Sequence, residues 1–196
     1  MFAAVIPPRR AYSRAFDLAH VSFALAAVVF ALAGSSGALN LALGTVVLLA
    51  VRRLDVPRPH DISIVIAAAL LAWGSALHLY SRVPYYDLVA HGFVQLLIAP
   101  AAYVLLARWG LVPMPGAAEP HRLAQGVVVV TLALGLGVGA LWEVTEWSLD
   151  GLVGTALIEG TNDTFTDLLA DGLGAALGGA WLASSARRLE PLGERL

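Results

Sequence analysis

The residues able to do chemistry fall in three short runs. The first is Asp87 with His91, four apart. The second is Glu143 with Glu146, three apart. The third is Asp163, Asp167 and Asp171, again in steps of four. On helices, each spacing puts its members on one face. Carboxylates with one imidazole suit zinc, manganese or iron, and a carboxylate-only subset suits magnesium or calcium. Helices bearing Glu-x-x-Glu and Asp-x-x-x-His follow the ligand logic of di-metal helical bundles, although those bundles use Glu-x-x-His. An open coordination position would activate a water for hydrolysis or transfer.

The candidate ligands are His91, Glu143, Glu146, Asp163 and Asp167. Asp87 and His78 stand as residues supporting the ligands, with Asp87 a further ligand in an alternative assignment. Glu143 and Asp171 are the candidate catalytic groups. Asp171, the deepest acid, would act as a ligand or as a hydrogen-bond donor in its protonated form. Arg82 and Tyr86 are candidates for holding an anionic headgroup. The expected cofactor is one divalent metal ion: zinc, manganese, iron or magnesium.

Two other readings compete. Intramembrane acids and histidines mark ion and proton pathways, and the Asp163–Asp167–Asp171 ladder descends as a pathway would. Against transport, the sixth span beyond Asp171 is Gly, Ala and Leu down to Trp181. Alternatively the acids form a structural polar network, with Asp163 capping its helix and Asp167 complementing the helix dipole. There is no nucleophile elbow, phosphate-cradling loop or dinucleotide fingerprint.

These residues must be positioned by elements that live in lipid. The chain has 196 residues, 59% hydrophobic and 13% charged, and a mean hydropathy of +0.77. A soluble domain carries about 25% charged residues, so disorder and a soluble enzyme are both disfavoured. All 12 basic residues are Arg, the net charge is −2 and there is no Cys. Nucleic acid is therefore not an expected partner, and disulfides and thiol chemistry are excluded.

A helix needs about 20 apolar residues to cross the hydrocarbon. Six segments approach that: Leu18 to Gly34, Ala38 to Val51, Ile62 to Tyr80, Asp87 to Trp109, Leu123 to Trp147 and Asp163 to Ala186. The reading is an all-α polytopic membrane bundle of about six transmembrane helices, forming a single domain over 1–196. Residues 1–17 and 187–196 are expected to be cytoplasmic. Ala31-Leu32-Ala33 also resembles a signal-peptidase site, and cleavage there would leave the later topology unchanged. With both termini inside, Arg82 alone of the 12 arginines falls outside, as the positive-inside rule asks. Tyr80, Tyr85, Tyr86, Trp142 and Trp147 then lie at the outer interface, and Trp109 and Trp181 at the inner one. All three acidic runs come to the outer side.

Small residues would let the helices meet. Gly135 and Gly139 form a GxxxG spacing in the fifth span, and Gly174 and Gly178 form another in the sixth. They predict close packing of these two spans, with their acids facing each other. The segment Ser148 to Asn162, bearing Asp150 and Glu159, reads as an outer loop that could cover the acids. His20, His60 and His121 have no such constellation, apart from Asp61 beside His60.

The stretches Tyr86-Asp87-Leu-Val-Ala-His91, Glu143-Val-Thr-Glu146-Trp147 and Asp163-Thr164-Phe-Thr-Asp167-Leu-Leu-Ala-Asp171-Gly-Leu-Gly174-Ala175 resemble the motifs of the YjdF-like family of prokaryotic inner-membrane proteins. The likeness covers about half the chain, from the third span to the sixth, and the first two spans carry no matching motif. It implies a multi-pass inner-membrane protein and lends no reaction. Membrane prenyltransferases also space aspartates by four, but they need a second aspartate motif and more helices. CDP-alcohol phosphotransferases continue from Asp-Gly to an Ala-Arg pair, whereas Asp171-Gly172 continues to Leu173-Gly174-Ala175. The expected partners are the bilayer and a lipid-linked or exported small molecule. A homo-oligomer is compatible with the reading.

Overall fold

The computed structural model describes residues 13–35, 37–54, 56, 60–115, 120–154 and 161–193. Among these, every regular element is a helix: α1 (Ser13–Leu32), α2 (Gly37–Leu54), α3 (His60–Ala76), α4 (Leu79–Arg82), α5 (Tyr86–Arg108), α6 (Pro120–Val153) and α7 (Thr161–Gly193). The chain forms two compact units, Met1–Tyr86 and Asp87–Leu196.

Burial is distributed as lipid dictates. Leu18, Leu25, Leu43, Val129, Leu141 and Leu173 are exposed, while much of the buried set is alanine, including Ala67, Ala72, Ala99, Ala107 and Ala175. Water would drive the large side chains inward. In hydrocarbon no such force acts, and small residues win the helix contacts because they let backbones approach. Gly37–Leu54, Tyr86–Arg108 and Arg122–Leu152 are long and apolar enough to cross a membrane, and Asp17–Leu32 and His60–Ala76 are shorter apolar helices. The aspartates and glycines of α7 lower its hydropathy, and it is not among them.

In the first unit, α1, α2 and α3 pack around Phe23, Leu41, Leu48, Ala68, Ala72 and Ala76. Phe23 and Phe30 meet Trp73 edge to face, with centroids 6.3 and 6.1 Å apart. Arg52 pairs with Asp17. Asn40 donates to Ser75 Oγ at 2.5 Å, satisfying polar groups that lipid cannot. The expected span Ile62 to Tyr80 is broken: α3 stops at Ala76, and His78 takes a left-handed φ of 56° before α4. Tyr85 is also left-handed, at φ 60°. Between them Pro84 holds Val83 extended (φ −112°, ψ 114°), as a proline does to its predecessor.

In the second unit, α7 runs antiparallel to α6 and parallel to α5. Toward α6 it presents Gly172 and Gly179, which lie against Leu136 and against Val128 and Thr131. In return, Gly135 of α6 lies against Ala175 and Gly139 against Asp171. Gly174 and Gly178 instead meet the carbonyls of Gly92 and Leu96 on α5. The GxxxG pair of α7 therefore serves α5, not the α6 contact expected of it. Pro100 sits inside α5 and has no N–H to return to Leu96, whose carbonyl lies at Gly178.

The far end of this unit is closed by Tyr103, Val104, Ala124, Val127 and Leu182. Tyr103 donates to the Pro113 carbonyl at 2.9 Å. Helix α6 continues to Val153, so Ser148 to Val153 is helix where a loop was expected. It ends at Gly154, left-handed at φ 74°, whose N–H returns to the Asp150 carbonyl as C-terminal glycines do. Glu159 and the rest of the expected covering loop, residues 155–160, lie outside the described residues. So do Arg9, Arg10, Arg58 and Arg195, and the side chains of His121, Arg187 and Arg188.

Candidate functional site

Three helix faces meet at the end of the second unit that carries the N-termini of α5 and α7 and the C-terminus of α6. On α5 the face is Asp87, His91, Gln95 and Ala99, at successive steps of four. On α6 it is Glu143, Gly139, Gly135 and Thr131, and on α7 Asp163, Asp167, Asp171 and Ala175. Asp87 and Asp163 lie in the first turns of their helices, where unpaired N–H groups favour negative charge.

His91 stands at the centre. Its Nδ1 is 3.1 Å from Asp171 Oδ1. When Asp171 is ionised it can only accept, so Nδ1 then carries the hydrogen and donates. On the other side, Nε2 is 3.6 Å from Asp87 Oδ1 and 4.0 Å from Glu143 Oε1. Both distances exceed a hydrogen bond. They suit atoms sharing one cation, since two bonds of about 2.1 Å leave ligand atoms about 3–4 Å apart. Ligand atoms of Asp87, His91 and Asp167 all lie within 4.8 Å of one another.

The cluster is deeply enclosed. Asp171 is 1% exposed, Asp167 2%, Glu143 3% and His91 7%. Neither oxygen of Glu143 has a hydrogen-bond partner, nor has Oδ2 of Asp171 or Oε1 of Gln95. Asp87, with 36% of its side chain accessible, is the open edge. One imidazolium cannot balance Asp87, Glu143, Asp167 and Asp171 together. An isolated acid at mid-membrane already costs about 3 kcal/mol on insertion scales, so the arrangement calls for a bound cation, protons or both.

Residues 18–188 match the family described as Predicted membrane protein (DUF2238). The chain belongs to that family. The description agrees with the lipid-adapted burial of the helices and assigns no chemistry to DUF2238. No curated protein matches the chain, and no solved structure does.

Within this DUF2238 protein the sequence-derived candidates separate into groups. Asp87, His91, Glu143, Asp167 and Asp171 converge. Glu146 is half-buried beside them, hydrogen-bonded to Trp142 and within electrostatic reach of Glu143, Asp87 and His91. Asp163 is half-buried and interacts with Asp167. It lies inside the first turn of α7, which begins at Thr161, and not at the cap position considered for it. His78, Arg82 and Tyr86 belong to the other unit. His78 and Arg82 are exposed, and the Tyr86 hydroxyl donates to the Leu70 carbonyl at 2.8 Å.

One contributor, Gln95, had escaped notice, and another, Gly139, had been read only as a packing residue. Gln95, 3% exposed, follows His91 by four and is a polar residue inside an apolar span, which was the available signal. Gly139 makes room for the Asp171 carboxylate, which occupies the space a side chain would take. Its GxxxG spacing with Gly135 marked it for a helix contact, unlike Gly137, which faces open space, but did not place it against Asp171.

Proposed function

We propose that this protein is a divalent-metal protein of the inner membrane, acting on a lipid-linked or exported substrate by metal-dependent hydrolysis or transfer. The observation that carries the reading is the His91 environment. Asp171 fixes the ring through Nδ1, leaving Nε2 beside oxygens of Asp87 and Glu143, with Asp167 in the same cluster. A carboxylate on the far nitrogen is the usual support of a metal-binding histidine. Asp87, His91 and Asp167 would hold the ion, with Glu143 as fourth ligand or as the base beside it. A divalent ion there supplies Lewis acidity toward a water or a substrate oxygen. Zinc, manganese, iron and magnesium all remain candidates for a set of one nitrogen and several oxygens.

The surroundings favour a closed pocket over a through-path. Past Gln95 the three faces come together at Ala99, Gly135 and Ala175, where even one added methyl would collide. A transport pathway would need polar groups further along. In the proposed topology six spans cross the membrane, both termini are cytoplasmic and the cluster opens outward. The YjdF-like affiliation belongs to this proposal too.

Elemental analysis of the purified protein tests the metal directly. The parent should carry stoichiometric divalent metal, and the Glu143→Ala, Asp167→Ala double variant should lose it while eluting as the parent does in detergent. A metal-free parent after equilibration with zinc, manganese, iron and magnesium would refute the reading. Flux of cations or protons through liposomes bearing the metal-loaded protein would favour transport instead.

A further inference from the structure

We infer that a second cation position, made of oxygen ligands alone, lies directly beyond the His91 site, between Gln95, Glu143 and Asp171. It goes beyond the single-metal reading above and shares Glu143 with it.

Three helices each contribute an enclosed oxygen that nothing satisfies: Gln95 Oε1 from α5, Glu143 Oε2 from α6 and Asp171 Oδ2 from α7. Their side chains are 3%, 3% and 1% exposed. Two of the oxygens, Gln95 Oε1 and Asp171 Oδ2, lie against the α6 face that also bears Glu143. A methyl on Gly139 would collide with the Asp171 carboxylate, and one on Gly135 would stand 3.5 Å from Gln95 Oε1. Gly135, Gly139 and Glu143 succeed each other by one turn, so the glycines form a cradle beneath the glutamate. The Gln95 and Asp171 oxygens beside these glycines have no hydrogen-bond partner.

Gln95 separates this arrangement from a mere crowd of acids. Its amide is neutral, so it adds an acceptor without adding to the negative charge. An orphaned buried acceptor is costly, and a cation satisfies it together with both carboxylates. Two carboxylates and one amide oxygen match a hard divalent ion such as manganese or magnesium. The His91 position, with its nitrogen, also accepts the softer zinc. Glu143 has both oxygens unpaired, with Oε1 4.0 Å from His91 Nε2. It can therefore face the first position with one oxygen and the second with the other, as a bridging carboxylate does between paired metals.

Manganese itself is the probe. The purified protein is equilibrated with Mn²⁺ in detergent, desalted, counted for metal per chain and examined by electron paramagnetic resonance. The expected result is two Mn²⁺ per chain with a spin-coupled spectrum. Gln95→Leu and His91→Ala should each fall to one ion with an uncoupled six-line spectrum, and Gln95→Glu, which keeps the oxygen, should retain two. One ion in the parent, lost in His91→Ala and indifferent to Gln95→Leu, overturns the second position and leaves the first standing. One ion lost in Gln95→Leu and kept in His91→Ala supports the oxygen site and removes the His91 site. No bound manganese in the folded parent overturns the inference. If zinc, iron and magnesium are absent as well, the single-metal reading falls with it.

Discussion

At the scale of single residues, the decisive fact is how differently the two nitrogens of His91 are treated. Nδ1 is held by Asp171 at 3.1 Å, and Nε2 has carboxylate oxygens near it but none at bonding distance. Asp171→Asn separates the two roles of that carboxylate. Asparagine keeps an oxygen for the Nδ1 hydrogen and removes a charge from a pocket already over-supplied with acids. Metal affinity should therefore fall about 10–100-fold, the usual effect of losing such a partner. The metal-free protein should melt no lower than the parent. Competition titration with Mn²⁺ and thermal melting in detergent read the two effects. An unchanged affinity would remove Asp171 from the site. The ionisable members were legible in the sequence because a charge inside an apolar span is conspicuous. Gln95 was not, because an uncharged amide is tolerable in many roles.

At the scale of helices, glycine spacing marked close contacts but not which helices would make them. On α7, Gly172 and Gly174 are two residues apart, hence about 200° apart around the axis. One faces α6 and the other α5, which is how a single helix binds two neighbours at once. The same distinction gives a controlled test on α6. Gly139→Ala forces its methyl into Asp171 and should cost about 1–3 kcal/mol, as overpacking does, with a loss of metal. Gly137→Ala points into open space and should change stability by no more than about 0.5 kcal/mol. Equal behaviour of the two variants in melting and metal content would contradict the packing described. The break after α3 is another feature of this scale. Pro84 was legible as an interruption, but the left-handed turns at His78 and Tyr85 depend on how the segment is held.

At the scale of the whole molecule, the arginine distribution and the placement of the acids make one linked claim about sidedness. The chain has no cysteine, so single cysteines can be introduced without background. In intact cells, Arg82→Cys should react with a membrane-impermeant maleimide and Arg53→Cys should react only after permeabilisation. The reverse pattern would put the cluster on the cytoplasmic side and change the class of substrate able to reach it. The chain forms two compact units, Met1–Tyr86 and Asp87–Leu196. All the converging residues come from the second unit, and His78, Arg82 and Tyr86, which the sequence reading also proposed, lie in the first.

Sequence alone determined that the protein is helical, that its helices are adapted to lipid and that its acids recur at helical spacing. Composition and periodicity are local properties, readable one segment at a time. Only the tertiary structure decided which faces meet, which oxygen approaches which nitrogen of His91, and that Gln95 and Gly139 belong with the acids. Those relations depend on the rotation and axial register of one helix against another. Contacts such as Gly92 with Gly174 and Ala175 with Gly135 set both, between residues far apart along the chain.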